Sequence, residues 1–140
     1  LADTDKFRSI VLPYFAKEEL KDSPLIMSSI GRWAGEEYDV IEAAKNAGHP
    51  IMVALQLEIS PEEMECRRQL ALESGDRGNR GDDNSVEILQ KRISEYQEKT
   101  LPVLATYEKM GLLVKVNTEE DRDTVFHKVL EAIADFATKN

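Results

Sequence analysis

The stretch IMVALQLEISPEE, residues 51–63, constrains the fold of this chain more than any other. An apolar run follows Pro50 and ends in Ser60-Pro61-Glu62-Glu63: a capping hydroxyl, a proline at the first helical position and an acid at the third. That order is a buried strand running directly into a helix. Two more apolar runs, residues 25–27 after Pro24 and 112–116 after Gly111, read as further buried strands. Helical periodicity fills residues 36–47, 61–72, 85–110 and 121–137, with Pro102 expected to divide the third stretch in two. In the last stretch Val125, Phe126, Val129, Leu130, Ile133 and Phe136 recur at three- and four-residue steps, the pattern of a helix packed on a sheet. Alternating strands and helices give the α/β class: a three-layer arrangement of parallel sheet and flanking helices, joined by right-handed crossovers. Such folds collect their ligand-binding loops at the carboxyl ends of the strands.

Composition narrows the functions available. A chain of 140 residues, 41% hydrophobic and 32% charged, fits one globular domain, 1–140. Its net charge of −9 argues against nucleic acid or a membrane surface as partner, so any anion site must be local. Cys66 is the lone cysteine, which excludes an internal disulfide and makes a cytoplasmic location the expectation. With only His49 and His127 beside it, no His/Cys metal spacing exists. No apolar run approaches the ~20 residues of a membrane span, and no charged-then-apolar leader is visible. The first residue is Leu1, so the chain is expected to be processed or to start inside a longer gene product.

Arginine is distributed unevenly. Of eight in the chain, Arg67, Arg68, Arg77, Arg80 and Arg92 fall within 26 residues. A planar, permanently charged guanidinium matches phosphate oxygens two at a time, so such a cluster fits a polyphosphate site. Ordinary salt bridges to Glu62, Glu65, Glu73, Asp76 and Asp83 explain the cluster equally well. Gly75, Gly78 and Gly81 let the intervening loop approach a ligand, and Asp82, Asp83 and Asn84 stand where a helix cap is expected. Arg92 lies about two turns into that helix.

The segments RGDDN, KRISEYQEKTLPVLATYEKMGLLVKVN and DTVFHKVLEAIADF resemble the carboxyl half of the nucleoside monophosphate kinases, the adenylate kinase and UMP-CMP kinase family. The family pattern reads approximately G-R-x-D-D-N, K-R-x-x-x-Y, T-x-P-V/I, Y-x-x-x-G, then a last strand and V-F-x-x-V, and residues 77–136 follow it. One departure is that Asn84 to Arg92 is a residue longer than usual. The resemblance implies catalytic roles for Arg80 and Arg92, which would hold the phosphoryl group in transit. Arg77 would be the remaining arginine of a short lid at about 73–84, and Asp82 and Asp83 would tie that lid to the site. Arg67 would pack against the donor base.

In the amino half, Asp5-Lys6-Phe7-Arg8 is similar to the family's T-G-D-x-x-R, and Ser28-Ser29-Ile30-Gly31-Arg32 occupies the place of D-G-F-P-R. The resemblance makes Arg8 and Arg32 acceptor-phosphate ligands. Ser28 replaces the aspartate that organises magnesium water in the family, so Mg2+ would travel with ATP, without a direct protein ligand. Glu36 stands where the family often has a base-reading glutamine, and an ionised carboxylate favours bases presenting N–H donors. It also reads as a solvated acid at a helix start. Trp33 reads as base-stacking or as packing. Only 24 positions separate Arg8 from Arg32, so the acceptor-binding region, about 5–24, is expected to be reduced, with one helix around 13–21.

No G-x-x-x-x-G-K-[ST] occurs in the 140 residues. The family carries that phosphate-cradling loop on its first strand, so the resemblance implies a P-loop NTPase-like fold lacking first strand and P-loop, with roughly 25 to 35 residues absent. The expected parent is a monomeric phosphotransferase, taking ATP and a nucleoside monophosphate, and turnover is not expected of this chain alone. The alternatives are a non-catalytic nucleotide-binding or regulatory protein of kinase descent, and an acidic interaction domain with structural arginines.

Overall fold

The structure, a computed structural model, describes residues 4–74 and 86–139. In chain order these form α1 (Thr4–Val11), two 3-10 turns (Leu12–Ala16 and Glu18–Leu20), α2 (Glu36–Asn46), β1 (Ala54–Glu58) and α3 (Pro61–Ser74). There follow α4 (Val86–Glu95), a π-helical turn (Tyr96–Thr100), α5 (Leu101–Lys109), β2 (Leu113–Asn117) and α6 (Arg122–Lys139). They divide into two compact units: Leu1–Met52 with Tyr96–Gly111, and Val53–Glu95 with Leu112–Asn140.

The second unit is built on β1 and β2, which pair in parallel from Ala54↔Leu113 to Glu58↔Asn117. Backbone bonds extend the ladder at both ends, Ala54 N–H to the Leu112 carbonyl and Thr118 N–H to the Glu58 carbonyl, each 2.8 Å. The α/β class, with parallel pairing and flanking helices, is therefore observed. The strand-to-helix junction at Ser60 forms, but its capping box is divided between partners. Ser60 Oγ accepts the Glu63 N–H at 3.2 Å, whereas the Ser60 N–H is taken by Glu119 Oε1 at 2.9 Å. Glu63 turns its carboxylate to Arg67 instead. Helix α6 starts on Asp121, whose carboxylate accepts the N–H groups of Asp123 and Thr124 at 3.1 and 3.0 Å and the Thr124 hydroxyl at 2.6 Å. Its apolar face is only partly covered: Val125, Val129, Ile133 and Phe136 are half-buried, Phe126 and Leu130 exposed. Leu55 and Leu57, alternate residues on one face of β1, are exposed as well.

In the first unit the core is Phe15, Val40 and Ala44, with Phe7, Leu12, Leu25, Met27 and Ile30 against it. Val40 and Ala44, one turn apart, give α2 its buried stripe, and Glu36, Glu37 and Asp39 complement its amino end. The helix stops in a Schellman closure, Gly48 N–H to the Lys45 carbonyl and His49 N–H to the Ala44 carbonyl, with Gly48 at φ 85.

Two expectations are corrected here and a third is met. The strand at 25–27 does not form, because the ladder among the described residues joins only β1 and β2, and a triplet without a neighbour leaves its backbone groups unpaired. Leu25 and Met27 still turn inward while Ile26 stands 100% exposed, so the alternation survives without the strand. The helix around 13–21 is two 3-10 pieces, separated at Lys17 where the backbone is extended, φ −68 and ψ 133. The expected division of the long helix is observed: the π turn separates α4 from α5, whose first turn holds Pro102, and a proline has no N–H for the Glu98 carbonyl and crowds that oxygen, so the preceding turn widens.

Candidate functional site

Residues 28–35, which lead into α2, are an unusual piece of backbone. Ser29, Gly31 and Gly35 all have positive φ, at 58, 62 and 97. At Gly31 a Cβ would lie 2.7 Å from Val40 Cγ2, so any other residue forces a shift as well as backbone strain. Gly35 donates its N–H to Glu37 Oε2 at 2.6 Å, and the Glu36 N–H closes on the Trp33 carbonyl at 2.9 Å. Arg32 sits between these two fixed points. It is exposed, and it makes no hydrogen bond or ion pair among the described residues. An unpartnered guanidinium on a constrained loop is available to an anion in a way that a paired one is not.

Arg8 contrasts with it. Its Nε donates to Asp39 Oδ2 at 2.7 Å, and Nη1 lies 3.7 Å from Asp5. The hydrogen bond and charge of Asp39 raise its pKa further. Beside it, Thr4 Oγ1 donates to Glu36 Oε1 at 3.2 Å, so α1 is fastened to the acidic first turn of α2 at two points. Glu36 is 7% exposed, which removes the solvated-acid reading of that residue. Trp33 presents one face of its ring to the Lys99 ammonium, 4.1 Å from the ring centre, a cation–π contact. Ser28 is exposed, and among the described residues no group of three or more His, Cys, Asp or Glu could hold a metal ion.

In the second unit, side chains stitch together the carboxyl ends of β1 and β2. Thr118 donates its hydroxyl to the Glu58 carbonyl at 2.8 Å, alongside the backbone bond. Arg67 donates Nε to Glu63 Oε1 at 2.7 Å and Nη2 to the carbonyls of Thr118 and, at 3.2 Å, Glu120. All of these bonds run from N–H groups, which lie in the guanidinium plane. Hydrogen bonds from Ser60 and then Asn117 hold the Glu119 carboxyl below the usual carboxylate range. Arg68 forms a two-point pair with Glu65, both contacts 2.7 Å. Those bonds, with Gln69, bring the Glu65 pKa down to about 2. Arg92 is exposed in the last turn of α4 and is engaged by other groups. The salt-bridge alternative thus holds for Arg67 and Arg68, although Arg67 takes Glu63, a partner outside the expected set. Arg77, Arg80, Asp82 and Asp83 lie outside the described residues.

Sequence reasoning passed over Glu37, Thr106 and Lys99. Glu37 carried one signal, an acid two residues after a glycine at a helix start. Thr106, whose hydroxyl is 3.2 Å from Glu37 Oε1 across 69 positions, carried none.

Comparison with known proteins gives the ancestry. No protein-family model matches the chain. It is 38% identical over 95 residues to adenylate kinase isoenzyme 1 of Homo sapiens, a match covering 68% of this chain and 44% of that protein. The adenylate kinase of Chlamydia pneumoniae is 41% identical over 54 residues, covering 39% of this chain and 25% of the relative. The UMP-CMP kinase of Lentinula edodes is 38% identical over 63 residues, 45% and 27% of the two chains. The matched region spans 44% of the length of the first of these relatives. With parallel pairing, flanking helices and this identity across two thirds of its residues, the chain belongs to the adenylate kinase and UMP-CMP kinase family.

Proposed function

We propose that this chain is part of a nucleoside monophosphate kinase, an enzyme that moves the terminal phosphoryl of ATP to a nucleoside monophosphate. An oxygen of the acceptor phosphate attacks the γ-phosphorus, the bond to the bridging oxygen breaks, and ADP leaves with the bond's electrons. Such a reaction asks the protein mainly for positioning and for positive charge around the equatorial oxygens. The observation that carries the reading is Arg32: exposed, without a partner among the described residues, and held on a loop wedged by Gly31 in a chain 38% identical to an adenylate kinase. Arg32 holds the acceptor phosphate, and Arg8, oriented by Asp39, approaches the same group. Arg67 keeps Nε on Glu63 and Nη2 on the β2 exit loop, and offers a guanidinium face to the donor base. Arg77, Arg80 and Arg92 surround the migrating phosphoryl, Asp82 and Asp83 support the lid, and Mg2+ arrives on ATP. Glu36 accepts from N–H groups of the acceptor base. The protein works as a cytoplasmic monomer.

The experiment is a coupled assay of the parent protein with ATP and AMP, CMP, UMP or GMP. Transfer to at least one acceptor, lowered ~10²-fold or more in Arg32→Ala, is the expected result. A Glu36→Gln variant should change the order of preference among the four. No transfer to any acceptor would sink the catalytic reading. The second reading, nucleotide binding without turnover, is favoured by Ser28 in place of the family aspartate. Saturable AMP binding without transfer would establish it.

A further inference from the structure

Glu37 is 3% exposed, yet among the described residues it has no lysine or arginine partner. A buried carboxylate is unfavourable unless hydrogen bonds compensate it, so each of its bonds carries weight. Oε2 accepts the Gly35 N–H at 2.6 Å, and Oε1 accepts the Thr106 hydroxyl of α5 at 3.2 Å, sharing it with the Pro102 carbonyl at 3.3 Å. Tyr38 OH lies 3.5 Å from the same Thr106 oxygen and can donate to it while Thr106 donates to Glu37. Burial raises the pKa of neighbouring Tyr107, and the Glu37 charge adds to that. The carboxylate is thus held from α5 and in turn holds Gly35 at φ 97, a conformation the isolated loop has no reason to keep.

Gly35 is one of two anchors for Arg32. The other is Gly31, fixed by contact with Val40. Between them lie only Arg32, Trp33 and Ala34, and Lys99 sits on one face of the Trp33 ring. We propose that Glu37 is a positioning residue for acceptor-phosphate binding: by fixing the Gly35 N–H it sets the direction in which Arg32 leaves the loop. This inference rests on the assignment of Arg32 to the acceptor phosphate. Glu37 touches no substrate, and its effect passes entirely through Arg32. A displaced guanidinium loses bidentate geometry before it loses charge, so the penalty falls on phosphate affinity.

The test is equilibrium titration of the chain with AMP, followed by the fluorescence of Trp33, its only tryptophan. Glu37→Leu should weaken AMP binding about tenfold. Glu37→Gln can accept from Gly35 and donate to Thr106, and should remain within about threefold of wild type. Thr106→Val, which leaves the carboxylate bonded to the Gly35 N–H but without the α5 hydroxyl, should fall between them and serves if Glu37→Leu does not fold. In an Arg32→Ala background, neither Glu37→Leu nor Thr106→Val should weaken AMP further. An unchanged affinity in folded Glu37→Leu or in Thr106→Val overturns the proposal, as does an equal loss in the Arg32→Ala background. If wild type binds no AMP, or Arg32→Ala binds it undiminished, the assignment of Arg32 falls and the role of Glu37 falls with it.

Discussion

Two glycines with similar backbones have different reasons to be glycine. Gly31 and Gly35 both sit at positive φ, but only Gly31 has a neighbour in the way: a Cβ there would meet Val40 Cγ2 at 2.7 Å, whereas one at Gly35 would find nothing within 4 Å. Gly31→Ala therefore meets left-handed strain plus overpacking and should lose about 2–4 kcal/mol in denaturant unfolding. Gly35→Ala meets the strain alone and should lose about 1–2 kcal/mol. Equal losses would show that the Val40 contact is not what fixes the loop. Partners likewise separate the arginines. Arg8, Arg67 and Arg68 each meet a carboxylate at 2.7 Å, while Arg32 has no partner among the described residues. Residue type was legible in the sequence, but pairing was not: Asp39 is 31 positions from Arg8. Arg68 with Glu65, three positions away on one helix, is the kind of pair that spacing alone reveals.

At the scale of elements, the junction around α3 concentrates the testable electrostatics. Ser60 caps the helix through the Glu63 N–H, and Ser60→Ala should cost about 1 kcal/mol. Glu65, Glu119 and Asp121 all have folded-state pKa values below their ordinary ones, Glu65 at about 2 against 4.5. A carboxyl with a depressed pKa gives stability that is complete above its unfolded value and is lost as pH falls through its folded one. Melting temperature should therefore fall as pH drops from 4.5 toward 2, and less steeply in Glu65→Gln. Glu119 and Asp121 are exposed and Glu65 is partly so, so salt screening should shrink the effect, and a pH profile identical in Glu65→Gln would exclude Glu65 as a source. The sequence marked most of these elements correctly because capping residues, prolines and apolar periodicity act locally. It failed at 25–27, where strand formation depends on a neighbour, and at 13–21, where two 3-10 pieces stand in place of one helix.

Across the molecule, the described residues make two compact units with separate organising contacts, the Phe15–Val40–Ala44 cluster in one and the β1–β2 ladder in the other. Family membership was legible because the motifs of residues 77–136 are sequence-local, whereas the support for the Arg32 loop comes from α5 and has no motif. The central claim is that Arg32 is kept free for the phosphate of a nucleotide. Arginine side-chain NMR tests it most directly, by following the Nε–H signals of the eight arginines during addition of AMP and, separately, adenosine. The prediction is a saturable shift at Arg32 with AMP and none with adenosine. A silent Arg32 signal throughout the AMP titration would contradict the claim.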